Sequence, residues 1–304
     1  MRHLLSIADL STTEIKEILA SAVKMKAELK TGAKENCCSR KTLAMIFEKD
    51  SLRTRLSFEI GMTQMGGHAI NIGATQIKMR QRESIEDIAQ VTSRFADIIM
   101  IRTFADKDLQ DFAQNSQVPV INGLTDGFHP CQAMADILTA QEHFKSLDNI
   151  KIAYIGDGNN VSNSLALICD KLNIPFAIAT PKGYELDCKL LQQYGADTSK
   201  ILQSNDVNQV AECSNILYTD VWTSMGQEAE KEKRLKDFKG YQINLNLIKK
   251  AMPNAKVMHC LPAHRGEEIS ADAMDSDYCI AYDQAENRLH AQKAIVRFLL
   301  EQQN

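Results

Sequence analysis

Short apolar runs alternate with stretches of helical periodicity twice over along this chain, and that rhythm limits the possible folds more than any other feature. In the first half, residues 43–47, 68–72, 97–102 and 118–121 read as strands. Between them lie helical stretches. The capping box Ser11-Thr12-Thr13-Glu14 opens a helix with an apolar face of Ile15, Ile18, Leu19, Ala22, Met25 and Leu29. A second helix starts near Ser51, with Leu52, Leu56 and Ile60 at helical spacing, and a third is capped by Ser84. Residues 73–82, with Lys78, Arg80 and Arg82 alternating, read as a polar, basic loop. The second half restarts the alternation, with strands over 151–155, 175–180, 215–219, 256–260 and 279–282 and a closing helix over 284–302. The charged run 228–239 reads as a solvated helix.

Strands separated by helices pair in parallel and bury both faces of their sheet. The expected fold is α/β, with two doubly wound parallel-sheet domains joined by interdomain helices. Residues 1–135 form the first, residues 136–283 the second, and helix 284–304 is expected to pack back on the first. The helix following His129 is long enough to cross between them. A chain of 304 residues can bury two cores of ordinary size. A net charge of −4, with no basic stripe, excludes non-specific nucleic-acid binding. No apolar run is long enough to span a bilayer, and the N-terminus lacks a signal-peptide pattern, so no membrane association is expected. The eight cysteines are scattered without a CxxC pair and read as reduced thiols of a cytoplasmic protein.

The polar motifs share one placement: each sits where a strand ends and a loop begins, the edge at which open parallel sheets bind ligands. They are Ser51 to Arg55, Arg102, His129 to Gln132, Asn159-Asn160, Asp220 to Gly226, and His259 to Pro262. A strand feeding a helix N-terminus at Ser51 exposes backbone N–H groups beside the positive end of the helix dipole. With Thr54, Arg53 and Arg55 added, the stretch suits a phosphate-like dianion; an ordinary capped helix with a solvated basic face is the alternative. The turn Gly156-Asp157-Gly158-Asn159-Asn160-Val161 lacks the third glycine of a dinucleotide fingerprint. His129 with Cys131, and His259 with Cys260 and His264, lack metal-ligand spacing, so no metal is expected. Cys260 is open to reading as a nucleophile or as an inert thiol. Asp220, at another strand end, suits an ammonium group.

Together these residues resemble the ornithine carbamoyltransferases, within the aspartate/ornithine transcarbamylase superfamily, over essentially the whole chain. Ser51-Leu52-Arg53-Thr54-Arg55 resembles the S-T-R-T-R carbamoyl-phosphate loop, His129-Pro130-Cys131-Gln132 the H-P-x-Q motif, and Arg102 the phosphate-binding arginine. Asp220 to Gly226 resembles the D-x-W-x-S-M-G loop and His259 to Pro262 the H-C-L-P motif, a pair that favours ornithine over aspartate. The resemblance implies carbamoyl transfer from carbamoyl phosphate to L-ornithine in arginine metabolism, without metal or organic cofactor, by a homotrimer. It implies Arg53, Arg102, His129, Asp220 and Cys260 as catalytic residues. Carbamoyl phosphate falls to Ser51, Leu52, Arg53, Thr54, Arg102, His129, Gln132, Cys260, Leu261 and Arg288, and ornithine to Asn160, Asp220, Ser224 and Met225. Two positions depart from the family pattern. Leu52 replaces threonine or glycine and offers phosphate only its backbone N–H. The loop glutamine, expected five residues before Glu83, is Lys78, and Gln76 lies two residues too early. The alternatives are a carbamoyltransferase for another amine such as putrescine, or a catalytically weak carbamoyl-phosphate-binding homologue.

Overall fold

The structure, a computed structural model, describes residues 1–77, 80 and 83–303. Lys78 and Arg82 of the basic loop lie outside the described residues. The chain divides into two compact units, Met1–Leu138 with Glu286–Asn304, and Thr139–Ala285.

In the first unit the strands are β1 (Thr42–Phe47), β2 (His68–Gly73), β3 (Ile98–Arg102) and β4 (Val120–Leu124). The helices are α1 (Thr12–Lys30), α2 (Leu52–Gln64), α3 (Ala74–Ile77), α4 (Ile85–Thr92), α5 (Asp106–Asn115) and α6 (Pro130–Phe144), the last running on into the second unit. Among the described residues the sheet is four-stranded and parallel, in the order β2-β1-β3-β4. β3 is buried along its whole length, as a parallel strand covered on both faces must be. Ile46, Ile99, Ile101, Ile88, Phe112 and Val120 form much of one core cluster. Ser11 caps α1 with the reciprocal Glu14 bond of a capping box, and Ser51 caps α2 by accepting from the Thr54 N–H. Helix α3 falls within the stretch that polarity alone reads as loop.

The second unit holds β5 (Ile152–Ile155), β6 (Phe176–Ala179), β7 (Leu202–Ser204), β8 (Ile216–Thr219) and β9 (Lys256–His259). Its helices are α7 (Asn160–Leu172), α8 (Cys188–Gln193), α9 (Val207–Ala211), α10 (Lys231–Asp237), α11 (Leu245–Ile248) and α12 (Ala271–Met274). Helix α13 (Ala281–Glu301) begins here and continues into the first unit. Among the described residues the sheet has five strands, all parallel, in the order β7-β6-β5-β8-β9. β7 is an edge strand that its polar sequence concealed. Residues 279–282 are no strand: Cys279 makes an isolated bridge to Val257, and α13 has begun by Ala281.

Strand order locates the functional edges. In each sheet the order reverses direction at one place, between β1 and β3 in the first and between β5 and β8 in the second. At such a switch point the connections leave in opposite directions and open a crevice beyond the carboxyl ends of the strands. The polar strand-end motifs stand at or just beyond the carboxyl ends of β1, β3, β4, β5, β8 and β9, and Arg288 lies on α13. Among the described residues no helix is long and apolar enough to cross a membrane.

Candidate active site

In the first unit a cationic cluster forms around the switch point. Ser51 to Arg55 follow β1, and Arg102 ends β3, paired in register with Phe47 of β1. Arg102 is buried, and its carbonyl accepts from the Glu48 N–H at 2.9 Å. β4 leads through the turn 125–128 to His129, immediately before Pro130 opens α6. Arg288 enters from α13, donating from Nη1 to Gln132 Oε1 (2.7 Å) and from Nη2 to Thr54 Oγ1 (3.1 Å). Gln132 in turn donates to Asp136 at 2.8 Å. With its amide oriented to suit its neighbours, Gln292 accepts from Arg288 Nε and Nη2 at 3.2 and 2.9 Å. Gln292 carries no motif, and only the α13 packing reveals it.

His129 is buried, and burial together with the positive charges of Arg288, Arg102 and Arg53 holds its imidazole well below the ordinary histidine range. It is therefore neutral near pH 7, with a single ring N–H. His3 and His290 are likewise lowered to about 4, chiefly by burial. Because the unfolded chain binds these protons from about pH 6.5 downward while the folded chain does not, their effect on stability is absent above that pH and grows unfavourable below it. The melting temperature is accordingly expected to fall between pH 6.5 and 5, and thermal melts across that range test it; a level profile would contradict the assignment of neutral buried imidazoles.

Leu52 opens α2 with 69% of its surface exposed, and Leu56 (46%) and Ile60 (43%) follow one and two turns on. These three line a groove of ≈ 500 Å³ with Arg55, Glu59 and Thr63. Lys78 is outside the described residues, whereas the Gln76 side chain is turned back on its own loop, accepting from the Gly73 N–H at 2.8 Å.

In the second unit a carboxylate is the centre. Asp220, just beyond β8 and buried, accepts from the Val221 N–H (2.8 Å), from Asn159 Nδ2 (3.1 Å) and from Cys260 Sγ (2.8 Å). Asn159 is the N-cap of α7, and Asn160 is its first residue. The structure thus brings Asp220, Asn159 and Cys260 together, with the Cys260 thiol as a hydrogen-bond donor. Leu261 has a left-handed backbone (φ 60°), and its N–H donates to His259 Nδ1 at 2.9 Å. His259 Nε2 therefore carries the proton and donates to Glu268 Oε1 at 3.0 Å, fully buried. Asp220, His259 and Cys260 lie close enough to share a metal ion, yet both nitrogens of His259 are engaged. In a second such cluster, His264, Glu267 and Glu268, the Glu268 carboxylate already accepts from His259 and from the His264 N–H. Ser224 and Met225 lie further along the loop; the Ser224 N–H donates to Gln227 Oε1 (3.1 Å) and Met225 is 52% exposed.

The glycines after β5 answer to packing. A Cβ on Gly158 would sit 2.4 Å from the Glu185 carbonyl oxygen, and the Gly158 N–H donates to the Tyr184 carbonyl. The turn is thereby pressed against the 184–186 backbone, which accounts for a glycine pattern without a dinucleotide.

Comparison with known proteins follows this division. A family model described as the carbamoyl-P binding domain of aspartate/ornithine carbamoyltransferases matches residues 2–142, and one described as the Asp/Orn binding domain matches residues 148–299. The chain is 46% identical over 303 residues to the ornithine carbamoyltransferase of Pyrococcus abyssi, covering 98% of this chain and 96% of that protein. The structure of ornithine carbamoyltransferase from Pyrococcus furiosus superposes with a TM-score of 0.94 at 45% identity, covering 99% of this chain and 97% of that one. The anabolic ornithine carbamoyltransferase of Campylobacter jejuni gives 0.92 at 34% identity, with complete coverage of both chains.

Proposed function

The chain belongs to the aspartate/ornithine carbamoyltransferase family, and from that premise we propose how its residues divide the work. It transfers the carbamoyl group of carbamoyl phosphate to the side-chain amine of L-ornithine, giving L-citrulline and phosphate. The observation that carries the assignment of roles is the gathering of Arg102 and His129, both buried, with Arg288 bonded to Gln132 and Thr54, at the carboxyl edge of the first sheet. Burial keeps the histidine neutral, the three guanidinium groups add to that effect, and their gathered positive charge suits a dianion. Ser51, the Leu52 N–H, Arg53, Thr54 and Arg102 bind the phosphate. Thr54, His129 and Arg288 donate to the carbamoyl oxygen as it gains charge, and Gln132 takes the carbamoyl amide. Preorganised donors of this kind stabilise an oxyanion without reorganising during reaction.

In the second unit Asp220 takes the α-ammonium of ornithine, with Asn160, Ser224 and Met225 completing recognition, while Cys260 and the Leu261 carbonyl orient the attacking amine. A lysine-like amine of pKa about 10.4 requires roughly 4.6 kcal/mol to deprotonate at pH 7. kcat/KM for ornithine is therefore expected to climb from pH 7 to 9; a flat profile would oppose attack by the neutral amine. The direct test is citrulline formation with ornithine beside putrescine and aspartate as acceptors. Turnover with ornithine alone is expected, and silence with all three would overturn the reading.

The anabolic label of the Campylobacter relative supports a place in arginine biosynthesis. Eight cysteines without a disulfide support the cytoplasm as its compartment. The exposed row Leu52, Leu56, Ile60 on α2 supports assembly into a homotrimer, since apolar surface of this kind is costly to leave in water. Sedimentation at trimer mass is expected; a fully active monomer would refute it.

A further inference from the structure

Helix α10 belongs to the charged run that sequence alone reads as solvated, yet its Arg234 is buried. Arg234 Nη1 donates to Asp157 Oδ2 at 2.7 Å and to the Trp222 carbonyl at 3.0 Å, while Nε donates to Glu230 Oε2 at 3.0 Å. The guanidinium also lies 5.0 Å from the centre of the Tyr184 ring, and Trp222 stacks on Phe238 at 5.7 Å. Asp157 belongs to the turn after β5, and Trp222 to the loop after β8. Those two strands are neighbours in the sheet, and their connections part at the switch point. Arg234 therefore ties together the two chain segments that carry Asn159 and Asp220, which are themselves joined at 3.1 Å.

We propose that Arg234 is a positioning residue for ornithine recognition: by clasping Asp157 and the Trp222 carbonyl it sets the spacing of the two walls on which Asn159 and Asp220 stand. The inference rests on the assignment of ornithine to the second unit. A lysine replaces Arg234 only in part, because only the planar fork reaches a carboxylate, a carbonyl and a second carboxylate at once. Burial raises the pKa of the Asp157 carboxyl while Arg234 opposes the shift, so removing the arginine leaves a buried carboxyl without its cationic partner.

Trp222 is the single tryptophan of the chain, so its emission reports on the clasp directly. In Arg234→Gln, KM for ornithine is expected to rise at least tenfold, with KM for carbamoyl phosphate within twofold and kcat within threefold of the parent. Trp222 emission is expected to shift to the red before any substrate is added. Arg234→Lys should recover only part of the loss. Asp157→Asn removes the same bond from the other end and serves if the arginine variant does not fold; the double variant should be little worse than either single one. An unchanged KM for ornithine with unchanged emission would overturn the clasp. So would equal losses in kcat and both KM values, which mark a merely structural role. Should the parent enzyme form no citrulline, the functional reading fails instead, and the emission alone decides the clasp.

Discussion

Replacing Arg102 by methionine is expected to lower kcat/KM for carbamoyl phosphate by about 10²–10³-fold without lowering the melting temperature. Arg102 is buried at the end of β3 and adds to the positive field at His129. Removing one partner of a buried charge pair costs about 3–5 kcal/mol, and that loss falls on the complex with the dianion. The free protein behaves differently. There Arg102 adds a third like charge beside Arg53 and Arg288, so deleting it lowers the mutual repulsion in the absence of an anion. The His129 imidazole should also move back toward its ordinary range, because one of the charges that depress it is gone. Steady-state kinetics, a thermal melt and an NMR titration of His129 read these three consequences separately. Loss of activity together with a collapsed melting temperature and an unmoved His129 would mean that Arg102 is structural.

Asp220→Asn is expected to lower kcat/KM for ornithine by about 10³-fold while carbamoyl-phosphate affinity stays within about twofold. The carboxylate accepts from Val221, Asn159 and Cys260, so its orientation is held by hydrogen bonds that an amide satisfies only in part. The substitution keeps the shape and removes the charge that pairs with the α-ammonium, a loss of about 3–5 kcal/mol when the pair is desolvated. Because Asp220 is assigned to the α-ammonium and the arginine cluster to the phosphate, the two substrates should respond differently. Equal weakening of both would contradict the division of roles. Titrating each substrate against the variant by calorimetry and by initial rates distinguishes these outcomes.

Structure departs from sequence pattern where a contact joins residues far apart in the chain or where an element is too short to carry a pattern. The run 228–239 is solvated along most of its length, as its charge implies, but Arg234 is buried against Asp157, 77 residues earlier, and the Trp222 carbonyl. Residues 279–282 are apolar like a strand, but they bridge β9 at one residue before α13 takes over. The short edge strand β7 carries too little apolar pattern to be seen beside its neighbours. Asn159 caps α7 locally, but its second task, holding Asp220, needs the loop after β8 to be in place.

What is local in this protein can be read along the chain. Alternating periodicities set the α/β class, Ser11 and Ser51 set helix starts, and the strand-end motifs named the residues of both clusters along with the family. These follow from side-chain spacing along a single segment, which strand and helix geometry converts directly into faces and ends. The strand orders, the switch points they create and the partners that meet there arise only on folding. Arg288 reaches Thr54 across 234 residues, and Arg234 reaches Asp157 across 77. No local pattern encodes such pairs, because the chain must close long loops before either residue gains from the other.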